Sequence, residues 1–133
     1  MTDQTTRAPA PSDRSSGALL LGMVRACRPK QWAKNVLVFV APAAAGVITD
    51  ADAILHPVAA FVAFCMVSSA TYLLNDILDV ESDRQHPTKR RRPIAAGIVP
   101  VPLAVAMAVA LFAAGVALAA RDNLQLAGIV AGY

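Results

Sequence analysis

Asn75, Asp76, Asp79 and Asp83 fall within the nine-residue stretch NDILDVESD. At the helical step of about 100° per residue they lie at roughly 0°, 100°, 40° and 80°, so one helix face carries all four, while Glu81 falls near 240° as an ordinary solvated acid. Three carboxylates within two turns repel one another and raise each other's pKa unless a cation neutralises them. Donors that are all oxygen select a hard divalent ion such as Mg²⁺, which keeps several waters and is usually completed by substrate phosphates. Directly downstream, HPTKRRRP supplies Lys89, Arg90, Arg91 and Arg92. A metal-binding face beside a run of cations suits a diphosphate. Upstream, Arg28 and Lys34 are long enough to reach phosphate from the mouth of a helix. Plainer assignments exist for each group. The acids could be a helix end wetted by cytosol, Arg28 and Lys34 could snorkel to an interface anchored by Trp32, and His86 has no second soft ligand nearby and reads as a loop residue.

These groups have to be held by apolar helices. The chain of 133 residues is 56% hydrophobic but only 5% aromatic, with a mean hydropathy of +0.52, above the roughly 45–50% apolar content of soluble domains. It reads as a membrane protein. Three stretches approach the roughly 20 residues that cross a hydrocarbon core of about 30 Å: about 32–48 with Pro42 as a kink, about 57–74, and about 103–120 with Pro102 in its first turn. A fourth, LQLAGIVAGY, closes the sequence at Tyr133, so the chain is expected to stop inside a membrane helix as part of a longer protein. Residues 1–17, rich in Thr, Ser, Pro and Ala, lack the apolar core of a secretory signal and read as a disordered cytoplasmic tail. Residues 18–133 then form the N-terminal part of one transmembrane domain. Cys27 and Cys65 stand in unrelated contexts, and neither a disulfide nor a metal site is expected from them.

Charge sets the orientation. Of the twelve Lys and Arg residues, eleven precede or open the first span (Arg7, Arg14, Arg25, Arg28, Lys30, Lys34) or follow the second (Arg84, Lys89, Arg90, Arg91, Arg92), leaving only Arg121. Two spans between the groups put them on one side, and the positive-inside rule makes that side cytoplasmic. For Arg7 and Arg14 a topology signal is the whole expected role.

The stretch NDILDVESD, followed by Arg92, Pro93, Ala95, Ala96 and Gly97, resembles the N-D-x-x-D-x-x-x-D signature and continuation of the UbiA-type intramembrane prenyltransferase superfamily. RPKQWAKNVLVFVAP from Arg28 and SSATYLLNDILDVESDRQHPTKRRRPIAAG from Ser68 are similar to its decaprenyl-phosphate phosphoribosyltransferase branch. The resemblance implies an all-α, multi-span transmembrane bundle of about nine spans, about three and a half of them here, with a site open to the cytoplasm and to lipid in the plasma membrane. It implies Mg²⁺ held through Asn75, Asp76, Asp79 and Asp83 on the diphosphate of phosphoribosyl diphosphate. A polyprenyl phosphate then attacks ribose C1, giving a precursor of the cell-wall arabinose donor. The family's second aspartate-rich motif has no counterpart in this chain, so the chain alone is expected to be inactive. The partners implied are the diphosphate donor, the lipid phosphate and the membrane, with no nucleic acid.

Two other activities stay open on the residues alone, beside a non-catalytic membrane fragment. Prenyl transfer to an aromatic acceptor needs the same metal and diphosphate chemistry, and intramembrane acids can couple ions in a transporter. Four basic residues beside the acids would repel a passing cation, which favours diphosphate.

Overall fold

The computed structural model describes residues 16–133. Arg7, Arg14 and most of the expected tail lie outside the described residues, but Ser16 and Gly17 open a helix, α1 (Ser16–Ala26). α1 stops because Pro29 disfavours a right-handed helical conformation at the residue before it. Arg28 adopts φ 51°, ψ 61° and starts a 3₁₀ helix over Pro29–Phe39, followed by α2 (Val40–Ala44). Gly46, at φ 70°, turns the chain into a second short 3₁₀ segment, Val47–Thr49. Then come α3 (Leu55–Leu78), α4 (Val80–Gln85), a 3₁₀ turn at Lys89–Arg91, α5 (Val101–Asp122) and α6 (Leu124–Ala131). The described residues are all-helical and contain no strand.

α3 and α5, with 24 and 22 residues, are the two helices long and apolar enough to cross a membrane among the described residues. They pack antiparallel along their lengths, since His56 near the start of α3 meets Asp122 at the end of α5. Their backbones come close at Gly115, where an added Cβ would lie 2.8 Å from Val67 Cγ2 and 3.0 Å from the Ala63 carbonyl oxygen. One apolar cluster, Ala26, Leu73, Ile94, Val99 and Ala104, fills the end near the acidic motif. Another, Ala63, Val67, Ala119, Ala127 and Val130, fills the far end.

The first expected span, about 32–48, is corrected in kind. It is not one α-helix kinked at Pro42 but a 3₁₀ run, a five-residue α-helix and a glycine turn. The pitch follows from what it packs on. Arg28 meets Asp76, Trp32 meets Ser69, Asn35 meets Cys65 and Phe39 meets Phe61. Eleven residues of 3₁₀ helix at about 2.0 Å rise and fifteen of α-helix at about 1.5 Å both cover about 22 Å, so the tighter helix keeps its contacts in step with α3. Its three-residue turn stacks Trp32 and Asn35 on the face toward α3.

The fourth apolar stretch is helical as α6: Asn123 separates it from α5 with extended backbone, and its side chain caps α6 by accepting the Gln125 amide at 2.8 Å. α6 packs back on α5 and α3.

Candidate active site

The acidic motif occupies the end of α3 and all of α4. The helix does not run straight through it. Asp79 sits at φ −93°, ψ 4° between the two elements, in the sparsely populated bridge region. The hydrogen bonds Asp79 N to Asn75 O (2.9 Å) and Asp83 N to Asp79 O (2.7 Å) carry the helical spacing across the break. Asp76 and Asp83, two turns apart, therefore still share a face.

That face is turned inward. Asp76 is 2% exposed and Asp83 1%, and a carboxylate buried to this degree has to be paired. The Asp76 Oδ1 accepts from Arg28 Nη2 at 2.6 Å and from Arg92 Nη1 at 3.1 Å. The same Arg92 Nη1 donates to Asp83 Oδ2 at 2.7 Å. Two acids and two guanidinium groups thus balance in charge, with Arg92 bridging the carboxylates. Asp83 Oδ1 is buried with no hydrogen-bond partner among the described residues. Asn75 and Asp79 are exposed.

Each arginine is placed by its surroundings. Arg92 begins the segment Arg92–Gly97, closed by Ala96 N to Arg92 O (2.8 Å) and Gly97 N to Ile94 O (3.1 Å). Ile94 and Val99 are buried against Leu73, Ala26 and Ala104, which holds this return loop under α4. Gly97 supplies the positive φ (75°) that the turn needs. Arg28 has the one positive φ among described non-glycine residues, a conformation that costs an L-residue about 1–2 kcal/mol. Its guanidinium lies 4.7 Å from the centroid of the Tyr72 ring, a cation–π distance. Arg28 and Arg92 keep 28% and 29% of their side chains exposed. A guanidinium has five N–H donors, so both retain some for a ligand.

The site residues expected from the sequence are thus divided. Arg28, Asp76, Asp83 and Arg92 come together, while Asn75 and Asp79 stay exposed beside them. Lys34, Lys89 and Arg90 are exposed and take no part in the buried cluster. Asp76, Asp79 and Asp83 do not converge as a three-ligand set, and no group of three or more metal-binding side chains exists among the described residues. Glu81, as expected, is an exposed acid, 3.5 Å from Arg84. His86 caps its own loop, its Nδ1 3.3 Å from the Thr88 amide and 3.4 Å from the Lys89 amide. Reading the sequence missed Tyr72, Ser69 and Trp32 as parts of the site's support, although Ser69 and Tyr72 precede Asp76 by seven and four residues and so share its helix face.

The pattern of the UbiA prenyltransferase family matches residues 36–133. A protein of Corynebacterium glutamicum named decaprenyl-phosphate phosphoribosyltransferase is 53% identical over 116 residues, covering 84% of this chain and 35% of that protein. Its namesake in Mycobacterium tuberculosis H37Rv is 57% identical over 97 residues, 70% of this chain and 32% of the relative. The namesake in Mycolicibacterium smegmatis is 46% identical over 119 residues, 86% and 37%. The chain spans about a third of the length of these curated relatives. With a family match over residues 36–133, most of its length, the chain belongs to the UbiA prenyltransferase family.

Proposed function

We propose that the full-length protein transfers the 5-phosphoribosyl group of phosphoribosyl diphosphate to a polyprenyl phosphate, decaprenyl phosphate in the first instance, and releases diphosphate. The observation that carries this reading is the buried pair Asp76 and Asp83 bridged by Arg92 and gripped by Arg28. It fixes two guanidinium groups at the end of α3 with donors to spare. The names of the curated relatives point to the donor and acceptor.

Within this reading Arg28 and Arg92 bind the diphosphate oxygens. As the C1–O bond to diphosphate breaks, negative charge grows on the leaving oxygens and positive charge on the ribose ring, so donors fixed in advance stabilise the transition state more than the ground state. A phosphate oxygen of the lipid forms the new bond to C1. It is already an anion near neutral pH, so no protein nucleophile or strong base is required. Leu74 and Leu78 are exposed apolar residues flanking Asn75 and Asp79, so the exposed part of the motif borders a lipid-compatible surface. That suits a lipid acceptor.

Magnesium belongs to the same reading. The orphaned Asp83 Oδ1 and the exposed Asp79 carboxylate fit a hard cation that takes one or two carboxylates and completes its shell with phosphate oxygens and water. Bound there, it would neutralise charge on the leaving diphosphate. The remaining protein ligands would come from the second aspartate-rich motif that the resemblance places later in the chain, so residues 1–133 alone are read as inactive. Arg28 and Arg92 both meet Asp76 at one end of α3, and the basic residues around them would favour the cytoplasmic side of the plasma membrane for that end, where the product would supply the cell-wall arabinose donor.

The test is to supply membranes containing the full-length protein with phosphoribosyl diphosphate labelled in the ribose, decaprenyl phosphate and Mg²⁺. Label entering the lipid phase, lost on chelation, supports the reading. Consumption of a prenyl diphosphate with an aromatic acceptor, and none of the phosphoribosyl donor, replaces it with prenyl transfer.

A further inference from the structure

Arg28 reaches Asp76 only because the chain turns left-handed at that residue, and such a conformation persists where its surroundings over-determine it. Cys27, the residue before it, has its carbonyl held by Ser69 Oγ, which donates at 2.9 Å. Ser69 Oγ in turn accepts from Trp32 Nε1 at 3.0 Å. Ser69 is 1% exposed and lies on α3 two turns before Asp76, on the face that also presents Tyr72 to the guanidinium. One helix face therefore grips the turn at its backbone (Ser69), at its guanidinium plane (Tyr72) and at its charge (Asp76), while Trp32 ties the outgoing 3₁₀ helix to the same hydroxyl.

We propose that Ser69, locked by Trp32, is a positioning residue that sets the Cys27–Arg28 turn and so aims Arg28 at the diphosphate. This deepens the phosphoribosyl-transfer reading and rests on it for the identity of the donor. Among the described residues, Ser69 is the side chain that hydrogen-bonds both the Cys27 carbonyl and the Trp32 N–H. A cavity of about 280 Å³ adjoins it, lined by Val24, Phe61, Val62, Met66 and Leu111 together with Trp32 and Ser69, so its walls offer little to replace a lost hydrogen bond. Without the hydroxyl, the Cys27 carbonyl and the Trp32 N–H lose their shared partner, and the strained turn loses the contact that fixes its entry.

The experiment uses the full-length protein and measures KM for each substrate and kcat. Ser69→Ala removes both hydrogen bonds, Trp32→Phe removes one, and Ser69→Thr keeps the hydroxyl. The expected result is a rise of about tenfold in the donor KM for Ser69→Ala and about threefold for Trp32→Phe, the scale of one net hydrogen bond or less. The lipid KM should stay within about twofold, and kcat should fall as well, because Arg28 holds the leaving diphosphate more tightly in the transition state than in the ground state. Ser69→Thr should restore the donor KM. In an Arg28→Ala background Ser69→Ala should add nothing, since the two then act through one contact. An unchanged donor KM in Ser69→Ala, or the full tenfold loss persisting without Arg28, overturns the proposal. If the wild-type protein uses a prenyl diphosphate instead, the donor assignment fails, and the same series run on that donor's KM still decides the role of Ser69.

Discussion

The two ends of α3 each carry a charged contact to a distant part of the chain, and they differ in enclosure. At the start of the helix, His56 Nδ1 lies 2.7 Å from Asp122 Oδ1 with 72% of the histidine side chain and 23% of the aspartate side chain exposed. At the other end, Asp76 and Asp83 are sealed under a return loop and shared by two arginines. Twenty residues, about 30 Å of helix, separate His56 from Asp76. Burying ions costs several kcal/mol each unless every one is paired, and replacing a buried pair by apolar groups is often neutral or stabilising. Such a cluster fits the proposed diphosphate site, where its charges would bind the donor. The exposed pair carries no such implication.

The largest effect is expected from Arg92→Ala. It leaves Asp76 with Arg28 alone and Asp83 with no partner at all, the case in which a broken buried pair costs about 3–5 kcal/mol. Thermal unfolding of the detergent-solubilised full-length protein should show that loss together with loss of turnover. A stable, active variant would mean that the enclosure contributes neither structure nor chemistry. Arg92→Lys should recover part of the stability but little activity, because a single ammonium cannot reproduce the guanidinium fork.

Next comes Asp79→Asn, which separates chemistry from folding. Asp79 is exposed and tied into no pair in the cluster, so stability should change by less than about 0.5 kcal/mol. If its carboxylate serves the metal–diphosphate site, turnover should fall by about 10²–10³, the scale of one lost electrostatic group. Wild-type turnover at limiting Mg²⁺ would remove Asp79 from the site and leave the buried pair as its whole acidic part.

What the sequence could reveal of this contrast depended on the kind of signal. α3 and α5 were legible because long apolar runs leave few alternatives, and the shared face of Asp76 and Asp83 because it is a matter of helical spacing. The burial of that face was not legible: it depends on Arg28, 48 residues away from Asp76, and on a loop folded back by Ile94 and Val99. The 3₁₀ pitch of Pro29–Phe39 was hidden for a related reason. Its Val, Leu and Phe residues announce an apolar segment, while the pitch is set by the contacts it must match along α3. α1 was passed over because its eleven residues are too short to span.

Gly115→Ala probes the contact that joins the two ends. A Cβ at 2.8 Å from Val67 Cγ2 and 3.0 Å from a backbone oxygen has to push α5 off α3, a strain of about 1–3 kcal/mol. The shift would fall near Val67 and Ala63, in the far cluster. Stability should therefore drop while the donor KM barely moves. A donor KM that rose in step with the destabilisation would show that the two ends are coupled through the helix pair.

The smallest effect is expected at the exposed contact itself. His56→Ala and Asp122→Asn each remove one side of a pair held in water, and such pairs are worth about 0–1 kcal/mol after screening and side-chain entropy. The contact is also redundant as a fastener, since Ala63, Val67, Ala119 and Val130 already pack α3, α5 and α6 at that end. Either variant should unfold within a few degrees of the wild type and keep its kinetics for both substrates, because the nearest proposed catalytic group is about 30 Å away along α3. The double variant should match the larger of the two single ones, as removal of a shared contact requires. A loss above about 2 kcal/mol, or a change in kcat, would break the contrast between the two ends: the His56–Asp122 contact would then be enclosed by chain beyond these residues and would belong, like Asp76 and Asp83, to the working interior of the protein.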